Sequence, residues 1–264
     1  MSRRPRLVAT DLDGTLVRSD GTISDRSVEV LSRVDSAGVP FVIVTGRPPR
    51  WLAPVADRLG HEGIAICANG AIEYDLATGR IIQRYPLDAA ALGEVVAALE
   101  DAVDGVSFSA EYGETWSHET IYHRRWRRED VGAALVERAD LVREPATKLL
   151  AWSQSLTDAE VHRRAVAAVG DRATVTHSMA TGLLEISAPG VTKASGLARI
   201  AERHGVGVAD VVAFGDMPND LPMLTWAGRS FAVGNAHPDV RAAADQTVGS
   251  NDEDGVARTL ERWF

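Results

Sequence analysis

The sequence predicts an α/β fold, a parallel sheet covered by helices, interrupted once by an inserted α+β module. Three observations predict it. Short, continuous apolar runs alternate with helical stretches near both ends of the chain, which is the pattern of strands buried on both faces. Each run stops at a polar turn containing glycine or asparagine. Between the two alternating regions, strands and helices follow one another in mixed order.

Taken in order, Leu7-Val8-Ala9-Thr10 reads as a buried strand broken by Asp11-Leu12-Asp13-Gly14-Thr15. Ser24 opens a helix with Val28, Leu31 and Val34 on one face, and Gly38 stops it. Phe41–Val44 is a second strand, cut off by Thr45-Gly46-Arg47-Pro48. Trp51 to Leu59 reads as a helix and Ile64–Cys67 as a third strand before Asn69-Gly70. Ile72 to Tyr85, with Thr78-Gly79 inside, reads as a hairpin leading away from the sheet. Helices are expected over Asp88–Ala102, near Arg128–Arg138 and over Asp158–Val169. Strands are expected near Val106–Ala110, Lys148–Trp152, Thr174–His177 and Leu183–Ser187, with a hairpin around Met179–Gly182. The α/β alternation then resumes: Thr192–His204 is a helix, Val211–Phe214 a strand before Gly215-Asp216-Met217-Pro218-Asn219-Asp220, and Phe231–Val233 another. The expected division is a core of residues 1–84 and 188–264 around a module of residues 85–187.

Composition narrows the function. Of 264 residues, 45% are hydrophobic and 25% charged, which excludes wholesale disorder. The 28 Lys and Arg against 37 Asp and Glu leave a net charge of −9. That balance argues against nucleic-acid and anionic-membrane partners, while a small site can still be locally positive. Cys67 is the single cysteine, so no internal disulfide and no multi-cysteine zinc site is available. No apolar run approaches a membrane span, and the basic start lacks a signal-peptide core, so a cytoplasmic location is expected.

The chemistry gathers at the turns. Asp11 and Asp13 sit two apart at a strand end; taken alone, Asp-Gly-Thr is also ordinary turn vocabulary. Asp216 and Asp220 sit four apart where a helix begins, and Pro218 with acidic residues there also suits simple capping. Because both pairs follow apolar strands, both belong on one rim of one sheet, where open α/β sheets bind ligands. So many carboxylates demand a cation: a phosphate dianion about 4 Å from one carboxylate is opposed by roughly 8 kcal/mol at an effective dielectric of 20. Oxygen-only ligands select a hard ion, with Mg²⁺ the leading choice. Thr45-Gly46 supplies a hydroxyl and unhindered N–H groups. Lys193 stands in the first turn of a helix, where the dipole disfavours a cation. An exposed surface lysine is the ordinary alternative; its place where the core resumes points to phosphate.

In order and spacing, Asp11-Leu12-Asp13-Gly14-Thr15-Leu16, Thr45-Gly46-Arg47, Lys193 and Gly215-Asp216-Met217-Pro218-Asn219-Asp220 resemble the four motifs of the haloacid dehalogenase-like phosphatases. Ala68-Asn69-Gly70-Ala71, Leu184-Glu185-Ile186 and Ala232-Val233-Gly234-Asn235-Ala236 resemble phrases of the Cof-like subfamily, and the inserted module is similar to its type IIB cap. The resemblance spans essentially the whole chain and implies a Rossmann-like core with a cap over the strand ends. It implies Asp11 as nucleophile, forming an aspartyl-phosphate, and Asp13 as the acid that protonates the leaving alcohol and then activates water. It places Mg²⁺ on the Asp11 carboxylate, the Asp13 carbonyl and Asp216, supported by Asp220. Thr45, Gly46, Arg47, Lys193 and Asn219 would hold the substrate's phosphoryl group.

In the module, Glu111, Trp116, His118, His123, Lys148, Ser178 and Thr181 are candidate substrate contacts. Lys148 ranks first, since the subfamily often carries a lysine there. For each, a packed aromatic or satisfied polar group is the plainer alternative. Tyr112, Tyr122 and Trp126 concentrate in the same stretch, and Arg124–Arg128 is basic enough to attract an anion or simply to be a solvated face. The leading expectation is a Mg²⁺-dependent phosphatase acting on a small phosphorylated metabolite, with sugar phosphates the class implied, as a monomer or homodimer. A phosphotransferase or mutase using the same aspartyl-phosphate, and a non-enzymatic phospho-acceptor or metabolite sensor, remain as alternatives.

Overall fold

The computed structural model describes residues 3–120, 133–153, 155–177 and 182–264. The chain forms two compact units, Met1–Ile82 with Thr192–Phe264, and Gln83–Val191. The first unit opens with β1 (Leu7–Thr10), α1 (Asp25–Ser36), β2 (Phe41–Val44), α2 (Ala53–Leu59), β3 (Ile64–Cys67) and β4 (Ile72–Asp75), and β5 (Arg80–Arg84) runs into the second. The second continues with α3 (Ala89–Ala102), β6 (Val106–Glu111), β7 (Trp116–His118), β8 (Ala133–Leu135) and α4 (Arg138–Leu141). It ends with β9 (Lys148–Ser153), α5 (Asp158–Val169), β10 (Thr174–Thr176) and β11 (Leu183–Ser187). The chain then returns to the first unit through α6 (Lys193–Arg203), β12 (Val211–Gly215), α7 (Leu221–Trp226), β13 (Arg229–Ala232), α8 (Pro238–Ala243), β14 (Gln246–Thr247) and α9 (Gly255–Leu260).

Local chemistry sets these boundaries. Ser24 caps α1 by accepting from the Ser27 N–H, and Val30, Leu31 and Val34 form its buried stripe. Thr192 and Ser195 form a reciprocal capping box at the start of α6. Pro49 begins a short 3₁₀ turn over Pro49–Trp51, so the expected Trp51–Leu59 helix starts only at Ala53.

The sheet of the first unit runs β14-β13-β12-β1-β2-β3-β4-β5. Strand β1 is parallel to both neighbours, with Thr10 opposite Phe214 of β12 and Ile43 of β2. The carboxyl ends of these three strands therefore lie side by side, and all four residues of β1 are buried. The Ile72–Tyr85 hairpin does not lead away from the sheet. Ala68 and Asn69 both take left-handed φ, of 48° and 55°, and reverse the chain so that Ile72 pairs antiparallel with Cys67. The hairpin therefore extends the sheet edge.

The second unit is a sheet of order β10-β11-β9-β6-β7-β8. One face packs Phe108, Ala110, Leu149, Ala151, Leu184 and Ile186 into a core with Leu92, Leu99, Val161 and Ala165 of the helices. Each such Leu or Phe contributes about 1.5–3 kcal/mol by leaving water. Trp116, Leu150, Trp152 and Leu183 cluster separately. In the described part of the helix expected near Arg128–Arg138, Ala133–Leu135 instead form strand β8, paired parallel with β7, followed by the short α4. Backbone pairing with β7 outweighs the helical preference of alanine there. Residues 128–132 and 178–181 lie outside the described residues, and with them most of the hairpin expected around Met179–Gly182.

Candidate active site

Strands β1 and β12 end one beside the other, and the turns that follow them meet. Asp11 leaves β1 only 5% exposed, and Asp216 and Asp220, in the turn after β12, are 6% and 0% exposed. One carboxylate oxygen from each lies within 4.8 Å of the others. Lys193, at the start of α6, projects its ammonium between two of them, with Nζ 2.7 Å from Asp11 Oδ1 and 2.7 Å from Asp220 Oδ1. The second oxygen of Asp220 accepts from the N–H groups of Asp216 and Met217 at 2.9 and 3.0 Å. Thr15 Oγ1 donates to Asp216 Oδ1 at 2.9 Å.

Two glycines make room for this gathering. A Cβ on Gly215 would stand 2.6 Å from Asp220 Cβ, and one on Gly14 would stand 2.3 Å from Asp216 Oδ2. Gly14 also takes φ of 77°, which side chains rarely adopt.

Three carboxylates facing one ammonium leave a local excess of negative charge. Burial pushes Asp11 well above the usual carboxylate range, against the pull of Lys193, and Asp220 and Asp216 add to the rise. Burial, then Asp220, lifts Asp216 to about 6. For Lys193, burial works against the charge, but Asp11 and Asp220 outweigh it and hold the ammonium protonated above its ordinary range. The donor set is all oxygen, closely spaced and under-neutralised, and it fits a hard divalent cation.

The other predicted residues are placed differently. Asp13 is 61% exposed at its side chain and pairs with Arg47, whose Nε and Nη2 donate to its two oxygens at 2.7 and 2.6 Å. Arg47 is thus held by Asp13, and its own N–H donates to Thr45 Oγ1 at 3.0 Å. Thr45 is buried, and Gly46 lies between these two residues in the turn after β2. Asn219 is buried in the turn after β12 and donates from Nδ2 to Asn69 Oδ1 at 3.1 Å.

Lys148 belongs to the second unit, on β9. Its ammonium is buried 3.7 Å from Glu111 Oε2 and 3.6 Å from Glu185 Oε1. Register sets Glu111 opposite Lys148 and Trp116 opposite Glu111, so strand alternation brings Glu111, Trp116, His118 and Lys148 to one face of that sheet. Tyr122, His123, Trp126, the Arg124–Arg128 run, Ser178 and Thr181 lie outside the described residues.

Sequence reasoning gave no individual role to Thr15, Asn69 or Asn235. Asn235 donates to the Gly14 carbonyl at 2.7 Å and accepts from the Asn251 N–H at 2.9 Å, bracing the turn after β1. The available signal was positional: an asparagine beside a glycine directly after an apolar run, at the same rim as the acidic turns.

The model for haloacid dehalogenase-like hydrolases matches residues 8–260. A 5-amino-6-(5-phospho-D-ribitylamino)uracil phosphatase of Bacillus subtilis is 31% identical, over 100% of this chain and 99% of its own. A pyridoxal phosphate phosphatase of Escherichia coli is 28% identical, over 97% of each. The solved structure of a subclass IIB sugar phosphatase shares the fold at a TM-score of 0.83, with 22% identity and 98% of both chains covered. Among the described residues no helix is long and apolar enough to cross a membrane. The chain belongs to the haloacid dehalogenase-like hydrolases and is an enzyme of the phosphatase type within that family.

Proposed function

We propose that the protein is a Mg²⁺-dependent phosphatase that hydrolyses a small phosphomonoester, with sugar phosphates as the leading class, through an aspartyl-phosphate on Asp11. The observation that carries this reading is the buried cluster of Asp11, Asp216 and Asp220 around the Lys193 ammonium. A carboxylate does not approach a phosphate dianion without compensating charge; Lys193 supplies part of it, and the remaining excess of carboxylates suits a bound cation.

In the first half-reaction an Asp11 oxygen attacks phosphorus and the bond from phosphorus to the leaving alcohol breaks. Asp13 gives its proton to the departing oxygen. Its exposure at the rim leaves it open to proton exchange with water. Arg47 then stands as counter-charge to the carboxylate formed. In the second half-reaction Asp13 takes a proton from a water molecule, whose oxygen attacks phosphorus. The bond to Asp11 breaks, and inorganic phosphate leaves with the nucleophile restored. Lys193, Asn219, Thr45 and Gly46 hold the phosphoryl oxygens, so positioning and charge neutralisation supply most of the acceleration. Asp11, Asp216 and Asp220 would hold Mg²⁺, which supplies positive charge at the transferring group.

The substrate class is supported by the relatives, one named for a ribityl phosphate and one for pyridoxal phosphate; both are phosphomonoesters of small alcohols. Phosphate release from a panel of phosphomonoesters, with Mg²⁺ and with excess chelator, tests the reading. Release that needs Mg²⁺ and is greatest for sugar phosphates is expected. Transfer to an added sugar in place of water would make the enzyme a phosphotransferase, and a stable phosphorylated Asp11 without turnover would make it a phospho-acceptor.

The Gly14 contact yields a separate expectation. In Gly14→Ala the new methyl displaces Asp216 from its place against Thr15. Mg²⁺ affinity, read by calorimetry, is expected to weaken by roughly 10- to 100-fold, the usual effect of disturbing the groups that orient a ligand. Unchanged affinity would remove Asp216 from the metal site.

A further inference from the structure

The turn Ala68-Asn69-Gly70 follows β3, one strand removed from β1 in the sheet, and carries no acidic or basic side chain. It nevertheless touches the turn after β2, the start of α6 and the turn after β12. The Ala68 and Asn69 N–H groups donate to the carbonyls of Arg47 and Thr45, both at 3.1 Å. Gly70 lies against the first turn of the Lys193 helix so closely that a Cβ would stand 2.1 Å from the Thr192 carbonyl oxygen. Its own carbonyl accepts from Arg199 of that helix at 2.8 Å, and Arg199 is in turn paired with the buried Glu73 at 3.0 Å. Asn69, 3% exposed, accepts from Asn219 Nδ2 through its side-chain oxygen. Two consecutive non-glycine residues with left-handed φ are costly, and here they aim the Asn69 side chain inward while both amides bond to the loop after β2.

The bond sets the two carboxamides relative to one another, with Asn219 Nδ2 donating to Asn69 Oδ1 and Asn219 Oδ1 buried without a hydrogen-bond partner among the described residues. A carboxamide has a donating end and an accepting end of nearly the same shape. Only the NH₂ end can serve a phosphoryl oxygen. With Asn69 Oδ1 accepting one hydrogen of Nδ2, the opposite orientation of Asn219 would set two oxygens against each other. The second hydrogen of the same nitrogen is left for a ligand. We propose that Asn69 is a positioning residue of the reaction, holding the Asn219 amide with its NH₂ end available to the phosphoryl group. This inference rests on the phosphatase reading of the site.

The test is a double-mutant cycle on the whole protein, with Asn69→Gly, Asn219→Ala and the pair. Glycine accepts left-handed φ, so the turn is kept and only the side chain is lost. Asn69→Gly is expected to lower kcat/KM and to weaken binding of inorganic phosphate, each by roughly 10- to 100-fold, the range for hydrogen bonds to charged groups. Mg²⁺ affinity and the unfolding midpoint stay near the parent's. In the Asn219→Ala background the same replacement is expected to change kcat/KM by less than about twofold, since the two residues act as one unit. Additive effects in the cycle, or equal losses of Mg²⁺ and phosphate affinity, would overturn the inference and leave Asn69 a structural residue. Asn69→Asp is the second variant. It keeps an acceptor for the amide and is expected to retain more of kcat than Asn69→Gly, with KM raised by its negative charge; a kcat no better than the glycine variant's also overturns the inference. A parent without phosphatase activity defeats the underlying reading itself, whereas an active parent with an impaired Asn219→Ala and an unimpaired Asn69→Gly defeats only this step.

Discussion

Asp11→Asn is expected to lower kcat by at least about 10⁴-fold, the scale on which removal of a covalent nucleophile acts, with the fold retained. The amide keeps the size of the carboxylate and an oxygen for the Lys193 ammonium, now 2.7 Å away. It removes a negative charge that burial and two neighbouring carboxylates disfavour. A midpoint of thermal unfolding within about 4 °C of the parent's is therefore expected in the absence of metal, which corresponds to about 1 kcal/mol for a chain of this size. Rapid quench with labelled substrate should show phosphate on the parent protein and none on the variant. Substantial turnover by Asp11→Asn, or label elsewhere on the chain, would remove Asp11 as nucleophile.

Lys193→Met is expected to be the most destabilising single replacement at the site. Its ammonium is 1% exposed and bridges Asp11 to Asp220. Taking it away leaves two buried carboxylates facing one another, and breaking a buried ion pair from one side costs about 3–5 kcal/mol. The unfolding midpoint should fall by roughly 6–12 °C or more, and kcat by on the order of 10²- to 10³-fold, as when one charge-stabilising donor is lost. Adding Asp11→Asn to Lys193→Met should restore part of the stability and none of the activity. That split separates the structural role of the lysine from its role toward phosphate. A stable Lys193→Met in the absence of metal would mean that the carboxylates are neutralised by other means.

The strands that carry the site were legible because their signals are local. Leu7–Thr10, Phe41–Val44, Ile64–Cys67 and Val211–Phe214 are short apolar-rich runs followed by turns that contain glycine or asparagine, and each is a buried or nearly buried strand of the first sheet. Ser24 and Thr192 announced helix starts through short-range capping chemistry, the alanine-rich run after Asp88 announced another, and all three residues cap the helices that follow. The misread elements are those whose conformation is decided by strand pairing that their own composition does not announce. Ala133–Leu135 is a strand because β7 pairs with it. Ile72–Asp75 joins the main sheet because the left-handed pair at Ala68 and Asn69 turns it back onto β3.

At the site the same division holds. The sequence by itself determined which chemical groups stand at strand ends, since an apolar run, a turn residue and a carboxylate are neighbours along the chain. It also limited any metal held there to a hard ion, because the acidic side chains at these turns offer only oxygen. What the tertiary structure decided is who faces whom. Asp11 and Lys193 are 182 residues apart in sequence and 2.7 Å apart in space. Arg47 is committed to Asp13, and Asn69 to Asn219. No local pattern encodes such pairs. They follow from the order β12-β1-β2-β3 of the sheet, which burial of apolar strands selects and which then sets turns from distant parts of the chain against one another.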